Sequence, residues 1–121
     1  MARVVHFEIN AKDTKRAIKF YESIFNWKFE KWAGPFDYWM IMTGDGPGID
    51  GGMNKRDDIP GFTTSVTIDV KGIDDVISKI KTMGGEITQD KMAVPGVGWM
   101  AQFIDTEGNT LGLMETDETA Q

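Results

Sequence analysis

The chain repeats itself, and that repeat limits what it can fold into. The stretch "YWMIMTGDGPGIDGGMN" aligns with "GWMAQFIDTEGNTLGLME", placing Trp39 and Met40 over Trp99 and Met100 and Gly51 over Gly112 after one-residue adjustments. A strand and a helix precede each stretch. "KDTKRAIKFYESIFNW" sets Ala17, Tyr21, Ile24 and Phe25 on one helical stripe behind a candidate N-cap, Asp13. "KGIDDVISKIKTMGGE" does the same with Ile73, Val76, Ile77, Ile80 and Met83, stopped by Gly84 and Gly85. Each half therefore reads as strand, helix and three strands. Five elements recurring in one order are hard to assign to coincidence. Strands are expected at 3–10, 27–33, 37–43 and 49–54, then 63–70, 86–93, 98–104 and 110–115, with helices at 14–25 and 73–83. "KRDDIPGF", polar and carrying a proline and a glycine, is the expected linker. The acidic tail "ETDETAQ" is expected to be solvated and frayed.

Composition narrows the partners. At 121 residues and 40% hydrophobic content, the chain suits one domain over residues 1–121, built from modules 1–56 and 60–121. A net charge of −6 argues against nucleic acid or an anionic membrane surface as partner. The absence of cysteine excludes disulfides, thiolate nucleophiles, zinc–thiolate sites and iron–sulfur clusters. "MARVVHFEIN" interrupts its apolar run at His6 and Glu8 before a signal peptide could form, so a cytoplasmic location is the default expectation.

Strand parity sorts side chains into faces. Val5, Phe7 and Ile9 share one side of the first strand, and Val4, His6, Glu8 and Asn10 share the other. The apolar side should cover the helix. In the second half Val66, Ile68 and Val70 take that side, and Ser65, Thr67 and Asp69 take the other. In "YWMIMT" and "WMAQFI" the set facing away from the helices is expected to be Tyr38, Met40, Met42, Met100 and Gln102.

"HFEINAKDTKRAIKFYESIFNWKF", followed by "GGEITQDKMAVPGVGWMAQFIDTEGNTLGLME", resembles the vicinal oxygen chelate superfamily, which includes glyoxalase I, bleomycin-resistance proteins and extradiol dioxygenases. The resemblance runs over nearly the whole chain. It rests on a histidine in the first strand, "D..R...FY" on the helix and "D..GN" at the last turn, although "DTEGN" carries threonine where the family commonly has proline. It implies an α+β fold of two tandem βαβββ modules, forming curled mixed sheets around a cup with the helices outside. It also implies a homodimer, a reading the four tryptophans support.

A glyoxalase-type metal site, by the same resemblance, takes one ligand from the first and one from the last strand of each module. Those positions here are His6, Ser65, Gly51 and Gly112. One imidazole, one hydroxyl and two glycines fall short of the four to six donors, roughly, that a divalent ion needs. Asp50 and Glu115 lie an odd number of residues from their glycines and should face away. No metal and no cofactor is therefore expected.

His6 remains open between a metal ligand, a base tuned by Glu8, and a structural partner of Glu8; no catalytic residue is assigned. The expected function is binding of a small organic molecule through His6, Glu8, Tyr38, Met40, Ser65, Thr67 and Gln102. Tryptophan and methionine side chains are divided between pocket lining and core. The alternatives are a metal-dependent lyase or dioxygenase, and an interaction module without a ligand.

Overall fold

The computed structural model describes residues 2–55 and 64–121. Beyond Lys55, the expected linker lies outside them. The chain runs β1 (Arg3–Ala11), α1 (Thr14–Phe25), β2 (Lys28–Lys31), β3 (Tyr38–Met42), β4 (Gly51–Lys55), β5 (Thr64–Asp69), α2 (Ile73–Thr82), β6 (Glu86–Val94), β7 (Gly98–Ile104) and β8 (Thr110–Thr116). This is the expected βαβββ order, twice. Contacts divide it into His6–Ser65 and a second unit of Met1–Val5 with Val66–Gln121.

In the first module the strand order is β2-β3-β4-β1, with β1 and β4 parallel and the other neighbours antiparallel. Asp13 caps α1 by accepting from the Arg16 backbone N–H at 3.0 Å. Asn26 ends the helix in the left-handed conformation, its N–H bonding the Glu22 carbonyl. One side of the sheet is apolar: Ala11, Ile41 and Met53 are buried, with Phe7, Ile9, Ala17, Ile18, Trp27, Phe29 and Trp39 packed on them. The helical stripe differs from expectation. Ile18 joins Ala17 in the core, whereas Ile24 and Phe25 are more than half exposed. Phe25 and Tyr21 pack on Trp27 at centroid distances of 5.4 and 5.2 Å.

In the second module the order is β5-β8-β7-β6, with β5 and β8 parallel and the rest antiparallel. Its core is Val70, Ile73, Ala101, Phe103 and Leu113, covered by Val76, Ile77 and Ile80 of α2 together with Ile68, Trp99 and Leu111 among others. The α2 stripe is as read from the sequence, except that Met83 follows the helix end and is exposed. Residue 72 is a glycine with no capping side chain, and Glu115 of β8 supplies the cap instead. Its carboxylate accepts from the Gly72 and Ile73 N–H groups at 2.6 and 3.3 Å.

The tail is ordered, contrary to expectation. Asp117 accepts from the Trp99 indole at 3.1 Å and from the Thr119 N–H at 2.9 Å, and the Gly96 N–H bonds the carbonyl of buried Ala120.

Candidate functional site

Alternation along β1 sends Phe7 and Ile9 into the core and His6, Glu8 and Asn10 to the opposite face. Register extends that face across the module. Glu8 lies opposite Gly52, Gly52 opposite Met40, and Asn54 opposite both Asn10 and Tyr38. The last-strand position that shares the His6 face is therefore Gly52. Gly51 pairs with Phe7 on the core side, where a Cβ would meet the Phe7 carbonyl at 2.6 Å.

Gly52 is what makes the arrangement possible. A Cβ there would coincide with the Tyr38 hydroxyl, so the phenol lies across the bare backbone and reaches β1. It donates to Glu8 Oε1 at 2.9 Å, and the Asn54 amide donates to Glu8 Oε2 at 3.1 Å. His6 Nε2 is 2.8 Å from Glu8 Oε1 and 3.2 Å from the Tyr38 oxygen. An ionised carboxylate only accepts, so this geometry puts the proton on Nε2 and, in the neutral ring, the lone pair on Nδ1. Burial, then the Glu8 charge and the hydrogen bond to it, hold the Tyr38 phenol well above its ordinary value. Tyr38 is thus a fixed donor. His6 keeps 30% of its side chain exposed and Glu8 19%, so ligand atoms could reach the imidazole more readily than the carboxylate.

Of the expected site residues, the structure joins His6, Glu8 and Tyr38 in this network and sets Met40 on the same face. Thr67, Gly112 and Gln102 form one row of the second module, facing away from its core, and Ser65 stands two residues before Thr67; both hydroxyl residues are buried. Asn54 was missed: placing Gly51 on the polar face put residue 54 on the other. Its signal was parity from Gly52. Trp27, Trp39, Trp99 and Met53 are core residues and do not line the polar face.

The residues do not fit a metal centre of the kind the resemblance implied. Both last-strand positions, Gly52 and Gly112, lack a donor side chain, and the space at Gly52 is filled by Tyr38. Among the described residues no three His, Cys, Asp or Glu side chains are grouped to share a cation. Asp50 binds the Thr43 N–H at 2.9 Å, and Glu115 caps α2, so neither acid joins the network. The "DTEGN" signature is a turn. Asp105 accepts from the Asn109 amide, from the Asn109 N–H and from the Glu107 N–H, bonds that hold its carboxyl below the usual range, and Gly108 takes the left-handed conformation. Two concavities of the first module are not lined by His6. One of about 330 Å³ is lined by Ile9, Lys12, Arg16 and Phe20, and one of about 420 Å³ by Phe25, Met42, Asp45 and Asp50.

Residues 3–113 match the Glyoxalase/Bleomycin resistance protein/Dioxygenase superfamily. The chain belongs to that family. A glyoxylase-like domain-containing protein of Didymella fabae is 34% identical over 109 residues, which span 85% of each chain. Among solved structures, the hypothetical protein BH1468 from Bacillus halodurans C-125 has a TM-score of 0.71 at 17% identity, covering 99% of this chain and 98% of its own. Methylmalonyl-CoA epimerase from Streptomyces coelicolor scores 0.69 at 15% identity over 98% and 97%. At such identities the likeness concerns the fold.

Proposed function

We propose that this glyoxalase-like protein binds a small organic molecule on the His6 face of its first module, without the metal that the superfamily commonly uses. The single observation behind this reading is the network of His6, Tyr38 and Asn54 around Glu8, which fixes a ring with a free lone pair beside a phenol oxygen and an adaptable thioether, Met40, on one sheet face. Ser65, Thr67 and Gln102 are proposed for the same role on the corresponding face of the second module. The two modules are read as one glyoxalase-like domain that acts as a cytoplasmic homodimer. Among the described residues no helix is long and apolar enough to cross a membrane.

A thermal-shift screen of small organic acids, aldehydes and phenols, run with and without divalent metals, tests this reading, because a ligand of the folded state raises its stability. Stabilisation by an organic compound that survives chelator supports it. A metal-dependent lyase or dioxygenase is the competing reading. It takes first place if chelator lowers the melting temperature and His6→Gln abolishes that response. The expected outcome is no chelator effect and a folded His6→Gln protein, since glutamine retains a donor and an acceptor.

A further inference from the structure

We infer that His6 is the proton acceptor of this face, acting through Nδ1, and that the ligand it selects carries a weakly acidic hydroxyl on a flat unsaturated framework, a phenol or an enol. This rests on the proposed binding role of the same face.

Three observations converge. The bond from Nε2–H to Glu8 Oε1 at 2.8 Å leaves Nδ1 as the basic atom and gives an imidazolium a carboxylate partner as it forms. Glu8 is itself held by Tyr38 and Asn54, so the carboxylate orients the ring rather than following it. An aromatic wall adjoins the network. Trp32 meets the Tyr38 ring edge-on at 6.2 Å and stacks on Phe36 at 6.1 Å, Phe36 being 62% exposed. Flat rings stack on such surfaces.

In the transfer, the ligand O–H bond breaks and an N–H bond forms at Nδ1. The ligand becomes an oxyanion and His6 an imidazolium, while Glu8 stays ionised and no electrons change hands. Tyr38 does not compete as the proton source, because its phenol is held protonated. The other charged groups that register places on this face are Glu30, opposite Met40, and Lys28, opposite Met42. Both stand on β2, across β3 and β4 from β1.

The test uses 4-nitrophenol, whose phenolate absorbs visible light and whose phenol does not, at a pH below the probe's own ionisation. Calorimetry measures binding, absorbance measures the bound phenolate, and nitrogen NMR of the single histidine reads its tautomer and protonation. The expected result is an Nε2–H tautomer in the free protein and imidazolium with bound phenolate on adding the probe. His6→Gln should reduce the phenolate fraction at least about tenfold, the effect of one unit of proton affinity. Its melting temperature should match the parent protein. Glu8→Gln should lose the tautomer preference. A Nδ1–H tautomer, bound probe that stays protonated, or an undiminished phenolate band in His6→Gln overturns the role of His6. No binding of 4-nitrophenol at millimolar concentration overturns the ligand class, and the metal-free binding reading then still stands or falls by the thermal-shift screen.

Discussion

The two modules share an element order and differ on the face turned away from the core. In the first, a glycine on the last strand is covered by a phenol, and four polar side chains meet over it. In the second, the equivalent glycine, Gly112, faces Thr67, whose Oγ1 would lie 3.2 Å from an added Cβ, and the surrounding positions are Asp69, Met100, Gln102 and Met114. One backbone plan thus carries a bonded network around a carboxylate in one copy and a surface of hydroxyl, amide and thioether side chains with Asp69 at its edge in the other. Duplicated topology preserves the scaffold while chemistry diverges at a few positions on the face the core does not need.

The widest separation is expected at the two glycines. Gly52→Ala must expel Tyr38 and leave Glu8 short of a donor, a loss of about 2–3 kcal/mol in denaturant unfolding. Gly112→Ala needs Thr67 to give by a few tenths of an ångström and should cost about 1 kcal/mol or less. Equal losses would erase the contrast between the faces. Pairing Gly52→Ala with Tyr38→Phe should not restore stability, because the ring itself still crosses the position; Tyr38→Ala should relieve most of the clash.

The helix caps come next. Glu115→Ala removes a charged acceptor of two N–H groups and should cost about 2 kcal/mol, against about 1 kcal/mol for Asp13→Ala at the exposed start of α1. Thermal melts of the two variants measure the difference.

The smallest effects are expected from pH, and they should have opposite signs in the two modules. Tyr38 is raised in the folded state, so its contribution is complete below the unfolded value of about 10 and is lost as pH rises beyond it. Tyr38→Phe should remove that alkaline loss. Asp105 is lowered by its bonds to Asn109 and Glu107, and Asp117 by its bonds to Thr119 and Trp99. Their contribution is present above the unfolded value of about 4 and fades as pH falls through the lowered folded values. Asp105→Asn should flatten the acid limb of a stability curve and leave the alkaline limb alone.

Much of this was legible in the sequence because period and parity are local. The apolar alternation of β1 is enough to set His6 and Glu8 opposite Phe7 and Ile9, and the α2 stripe from Ile73 to Ile80 is the one that packs. Register is not local. The choice between Gly51 and Gly52 depends on where β4 lies against β1, and the internal repeat was blind to it because its alignment already needed one-residue shifts. Asn54 was lost with that choice. Glu115 was read correctly as facing away from the polar side, but its partner, the start of α2, lies 43 residues earlier and nothing near it in sequence announces a missing cap. The tail is as exposed as its polar composition suggests at Thr116, Glu118, Thr119 and Gln121, but it is not frayed, because Asp117 is bonded to the indole of Trp99, another contact that is not local in sequence.

The cap on α2 also bears on the order in which the chain acquires structure. α1 carries its own start signal and can be nucleated as soon as Asp13 and the first turn exist, whereas the first turn of α2 waits for Glu115 on the last strand. Closing a loop of that length before the helix gains its acceptor is an entropic delay that local helices avoid. During synthesis from the N-terminus, the first module can settle while the ribosome is still extending the second, whose helix is completed only when β8 has been made.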